Sequence, residues 1–149
     1  MTRNIAICSL IAALAVVLMC AIYNPSYLSD KNDFMHHFVN HELLALLGII
    51  MTITLASAAG LHLEFNKIEE KFQKRGLTIT RRGVIQGAYG LIFLFLFAVA
   101  IVVLKPLIPH SDAAEAVVNG LALIILLFNV LILLDLTQLA FSIKPEIDD

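Results

Sequence analysis

The side chains in this sequence that could do chemistry are few, and they lie far apart. His37 and His41 stand four positions apart, a spacing that on one helix puts both imidazoles on the same face, where they could ligate a metal ion. His110, Asp112 and Glu115 are the groups that could complete a ligand set. There is no second histidine pair, no cysteine ligand and no HExxH helix to strengthen that pattern. Histidines resting at the start of a helix are therefore the simpler reading of His37 and His41, and neither a metal nor a cofactor is expected. No P-loop, dinucleotide fingerprint, CxxC pair or nucleophile with a nearby base appears either, so an enzyme is not expected.

The remaining distinctive groups are polar residues set into apolar runs. Asp135 interrupts the last of these runs, with Gln138 close behind it, and His62 and Gln86 come at a similar depth in two others. An ionisable group in hydrocarbon is costly unless it faces protein or water. Asp135 is expected to pair with Arg81 or Arg82 in a polar belt that fixes helix register, or else to serve a gate or an ion path. Thr52, Thr54, Ser57, Asn119 and Asn129 are expected to bond across helices. At roughly 100° per residue, Asn119, Asn129 and Asp135 do not fall on one helix face, which argues against a continuous polar track.

The elements that must carry these groups follow from hydropathy. Of the 149 residues, 60% are hydrophobic and 15% charged, and the mean hydropathy is +0.90. A soluble domain carries about 25% charged residues, so the apolar residues here are expected to meet lipid. The net charge of -2 lacks the basic surplus of a nucleic-acid binder. Runs near residues 5–23, 43–61, 87–104 and 116–134 each approach the ~20 apolar residues that span a bilayer. The first is too long in its apolar part for a usual signal core, and Met19 before Cys20 does not suit lipoprotein processing. Cys8 and Cys20 stand on one helix about 18 Å apart along its axis, too far for a disulfide within the chain. The expectation is a single all-α domain, an integral membrane four-helix bundle.

Lysine and arginine placement sets the direction. Arg3, Lys67, Lys71, Lys74, Arg75, Arg81, Arg82 and Lys144 lie on one side of the spans, and only Lys31 and Lys105 on the other. By the positive-inside rule, both termini and the 62–82 hairpin are cytoplasmic. The outer loops carry Asp30, Asp33, Glu42, Asp112 and Glu115, an acidic mouth that would draw cations toward a pore if one existed.

The hairpin is the most informative polar segment. Leu61, Phe65, Ile68 and Phe72 recur at spacings of 4, 3 and 4 and form one helical stripe. Glu64 with Lys67 and Glu70 with Lys74 are favourable pairs on the same helix, and Gly76 suits its end. The second span is thus expected to continue into the cytoplasm as one rod from near His41 to Arg75. Its exposed apolar stripe, with Glu64, Lys71, Lys74, Arg75, Arg81 and Arg82 around it, is expected to dock a soluble cytoplasmic partner. Phe93, Phe95 and Phe97 point to different sides of the third span, so some must face lipid or another subunit, and a homo-oligomer is expected.

Two resemblances bear on function. Asn66-Lys67-Ile68-Glu69 resembles the Asn-x-x-Glu element on the second helix of the glutathione-handling membrane transferases, although the arginine that precedes it in that family is missing here. The whole-chain outline, with four spans, both ends inside and a cytoplasmic hairpin, is similar to small four-helix membrane subunits of bacterial antiphage defence systems of the Kiwa type. That likeness implies a non-enzymatic subunit of the bacterial inner membrane that oligomerises and holds a soluble partner. A pore-forming or membrane-permeabilising effector and a glutathione-type transferase are the alternatives.

Overall fold

The computed structural model describes the backbone of residues 2–72 and 78–142 and the side chains of residues 7–71 and 80–141. Every regular element among them is helical. Helix α1 (Thr2–Tyr23) stops at Asn24, whose φ of -153° leaves the helical region ahead of Pro25, as a residue preceding proline does. A 3-10 turn (Pro25–Tyr27) leads to the short α2 (Asp33–His37), whose first turn is capped by Asn32, its side chain accepting from the Phe34 N–H at 3.0 Å. A wide π turn (Phe38–Glu42) then passes into α3 (Leu43–Phe72), and α4 (Thr78–Leu104) returns. Pro106 tightens the chain into a 3-10 turn (Lys105–Leu107), and α5 (Asp112–Ser142) closes the fold.

The expected apolar runs at 43–61, 87–104 and 116–134 lie inside α3, α4 and α5. Three helical stretches, Asp33–Lys71, Thr80–Leu107 and Asp112–Phe141, are long and apolar enough to cross a membrane. The run at 5–23 falls in α1, whose stretch Ile7–Tyr23, among the described residues, is an apolar helix. The rod expected from the second run is α3, whose 30 residues extend about 45 Å at 1.5 Å per residue.

The four long helices are not equivalent. α3, α4 and α5 pack on one another, whereas the extensive contact of α1 among the long helices is with α5. α1 therefore lies along the outside of a three-helix sheaf, and its remaining flank, including Ile11, Met19 and Ile22, is exposed. Close approach of α1 to α5 depends on Gly120: a methyl group there would land on the Val17 side chain.

Two apolar clusters fill the sheaf. The larger, around Leu43, Leu47, Ala98, Ala122 and Ile125, reaches up to Leu28 and Met35. The smaller joins Ala58, Phe65, Val84 and Leu136 near the hairpin. Thr54 and Asn129, both fully buried, come between the two along α3 and α5. The hydroxyls expected to bridge helices do not. Thr52, Thr54 and Ser57 donate to the carbonyls of Gly48, Ile50 and Ile53, four residues back on α3, and Asn129 donates to that of Ile125 on α5. Such short polar side chains reach the helix's own carbonyls one turn back without any partner from a neighbouring helix.

Candidate functional site

Polar side chains gather at the two ends of the sheaf. At one end, the loops 24–42 and 105–115 form a cap. The π turn breaks helical geometry at Val39 (ψ 62°) and Asn40 (ψ -144°), which frees backbone groups that a regular helix would satisfy. Lys105, carried to the cap by the end of α4, donates to the Val39 carbonyl at 3.3 Å and meets Asp30 at 2.8 Å. Asn119 of α5 is fully buried and donates to both the Leu28 carbonyl (2.7 Å) and Asp30 Oδ1 (2.9 Å). Glu115 accepts the backbone N–H of Asp30 at 3.1 Å, and His36 Nδ1 lies 3.5 Å from the second Asp30 oxygen. Burial raises the Asp30 pKa, but the hydrogen bonds from Asn119 and Lys105 and the charge of Lys105 outweigh it, so the carboxyl titrates below its ordinary value.

These groups surround a cleft of about 190 Å³ lined by Asp30, His36, Lys105, His110 and Glu115, among others. Within it Lys105 answers the charge of Asp30, and the Asp30, Lys105 and Glu115 contacts tie the loops together. Of the acidic residues expected to form a mouth, Asp30 and Asp112 are held by lysines, and Asp33 and Glu115 have histidines nearby. Asp30 pairs with Lys105, Asp112 with Lys31 (2.5 Å), Asp33 with His37 (3.4 Å), and Glu115 lies 3.9 Å from His110. His37 and His41 do not stand on one regular helical face, the arrangement that a metal pair would have needed. The break at Val39 and Asn40 separates their registers, and His37 instead donates to the Asp33 carbonyl at 2.9 Å. Among the described residues, no group of three His, Cys, Asp or Glu side chains is placed to hold a metal ion.

At the opposite end, α3 and α4 run on together as the hairpin. Phe65 is fully buried against Ala58, Val84 and Leu136, with Leu61 and Leu139 beside them, and Ile68 is half-buried. The stripe read from the sequence is real, but it points inward. It forms the hairpin's own core, because α4 and α5 reach far enough to cover it. Phe65 is thus removed from the exposed docking set. The side chain of Phe72, at the end of α3, and residues Lys74 and Arg75 lie outside the described residues.

Arg81 completes the brace. Its guanidinium donates to Asn66 Oδ1 and Glu69 Oε2, both at 2.7 Å, and the Arg81–Glu69 pair is mostly shielded from solvent. The Asn-x-x-Glu element therefore faces α4, and both of its side chains bind Arg81. This overturns the expected Arg81–Asp135 pair. Asp135, Gln138, Gln86 and Arg82 are all exposed, His62 is half-buried, and no ion pair joins Asp135 to Arg81 or Arg82. Helix register explains the outcome, since Leu136, next to Asp135, is the residue that α5 turns inward. Glu64, Lys67, Glu70 and Lys71 form the outward face of the hairpin, with a Glu64–Lys67 pair at 2.7 Å.

The sequence does carry a signal for the brace: Glu69 follows Phe65 by four residues and Asn66 by three, so it neighbours both and stands at the edge of the covered face. The cap had no such signal, because Asn119 and Asp30 are 89 positions apart. No protein-family model, curated protein or solved structure matches this chain.

Proposed function

We propose that this chain is a non-enzymatic membrane subunit that oligomerises and presents its hairpin to a soluble cytoplasmic partner. In this reading α1 supplies a fourth crossing, and both termini and the hairpin are cytoplasmic, as the distribution of lysine and arginine favours. The observation that carries the proposal is the hairpin's construction. A connector that only joined two spans would need no interior, yet this one has a buried Phe65, a shielded Arg81–Glu69 pair and an outward face made of charges. A helical post stiffened in this way loses little conformational freedom when a partner binds, which is what a docking platform needs.

Two further observations support the reading. The polar side chains at the cap and the brace bind other parts of the chain, which suits a structural role better than a catalytic one. Asp135 and Gln138 stand exposed on α5 within an apolar helix, and a carboxylate there is costly until protein covers it. The whole-chain outline gives this role a biological setting, as the membrane component of an antiphage complex in a bacterial inner membrane.

The test is co-purification from detergent-solubilised membranes. Glu64→Lys with Lys67→Glu, Glu70→Lys and Lys71→Glu rearranges the outward charges and leaves Phe65 and Arg81 in place. A soluble protein that accompanies the native chain should be lost from this variant while helicity and melting stay unchanged. Equal recovery with both chains would overturn docking through this face.

A further inference from the structure

A groove runs between α3 and α4 on the outside of the sheaf, just inside the hairpin, with a volume of about 350 Å³. It exists because Ala58, Ala59 and Ala88 leave space between the two helices. Its lining is apolar apart from two residues, His62 of α3 and Tyr89 of α4. Tyr89 is largely exposed and no hydrogen bond engages its hydroxyl, so the groove holds an idle donor.

The complementary feature is on α5. Asp135 is exposed, and Gln138, three residues on, shares its face. Neither is joined to another side chain among the described residues. Depth along the sheaf can be read from the contacts of α4 with α5: Gly87 lies against Ile132 and Leu136, and Gly90 against Ile132. Asp135 therefore stands level with Gln86 and Gly87, between His62 and Tyr89 in height and within about one helical turn of each. A second copy inserted in the same bilayer has its Asp135 at the same depth, so its carboxylate meets the groove where the two polar residues are.

We infer that the outer face of α5 in one copy seats in the α3–α4 groove of the next, with Asp135 accepting hydrogen bonds from Tyr89 and His62. The contact joins two different surfaces, so it is heterologous and repeats from copy to copy, closing into a ring where the rotation between copies permits. It deepens the proposed oligomer by naming its interface, and it rests on membrane insertion. A phospholipid chain is the competing occupant. It fills the apolar space but leaves Asp135 without a partner in the hydrocarbon.

The experiment is cysteine cross-linking in native membranes, in a background with Cys8 and Cys20 changed to serine. Gln138→Cys and Ile85→Cys are made as separate chains with different affinity tags. Co-expression should give a disulfide-linked dimer containing both tags, neither variant alone should cross-link, and the double variant should give a ladder. Adding Ala59→Leu, which fills the groove on its exposed side, should abolish the mixed dimer. Dimers of Gln138→Cys alone would overturn the heterologous arrangement in favour of a symmetric one. No cross-link in protein that remains in the membrane fraction would overturn the interface only, with a lipid left as occupant. Recovery of the chain in the soluble fraction would overturn the membrane reading as well.

Discussion

The two ends of this molecule solve different physical problems. At the hairpin end, the helices simply continue past the point where the sheaf's main core stops. Their backbones are satisfied internally, so one buried aromatic ring and one shielded ion pair suffice to hold them together. At the cap end, the chain turns repeatedly through 3-10 and π segments, and its freed backbone groups need outside partners. There the side chains of Lys105, Asn119 and Glu115 bond the backbone at Val39, Leu28 and Asp30. Regular structure can thus be held by apolar contact, whereas irregular structure needs a polar network.

The largest effect should come from breaking the hairpin core. Phe65→Ala removes a ring that is fully buried and should cost about 3–5 kcal/mol. Thermal unfolding in detergent should show the loss, and amide exchange should place it in the 58–72 and 80–88 segments with the cap unaffected. Protection lost equally at both ends would mean that the two regions are not separate units.

A smaller, opposite result is expected from Lys105→Met, which keeps the length of the side chain but leaves Asp30 and the Val39 carbonyl without their cation. The cost should be about 2–3 kcal/mol, below the range for a fully buried pair because the cleft admits some solvent. Exchange should rise in residues 28–42 while the hairpin amides keep their protection.

The smallest effect is the pH dependence that Asp30 gives the cap. The Asp30 pKa is depressed on folding, so the unfolded chain binds its proton more readily, and stability falls as the pH drops. The contribution is fully present above the ordinary value of 3.8 and is lost as the pH passes down through the lower folded value. Melting measured between neutral and strongly acid pH should show this slope, and Asp30→Asn should reduce it.

Much of the scaffold is legible in the sequence. The helices, their breaks at Asn24-Pro25 and Lys105-Pro106, and the 61–65–68 stripe follow from hydropathy, proline and helical period, all of which act over a few residues. The candidate sites were less legible. Periodicity shows that Phe65 and Ile68 share a face, but an apolar stripe looks the same whether a partner or the chain's own helix covers it. Likewise, the sequence places Asp135 near the depth of Arg81 and Arg82 but not on the same side of the bundle.

What the sequence alone determined is the set of long apolar helices and their order, because each is specified by residues close together in the chain and by the solvent those residues require. Only the tertiary structure decided that Arg81 binds Asn66 and Glu69, that Asn119 reaches Asp30, and that Asp135 faces outward. Those outcomes depend on how each helix is rotated against its neighbours. Rotation is fixed by side-chain packing such as Gly87 on Leu136 and Gly120 on Val17, contacts between residues distant in sequence.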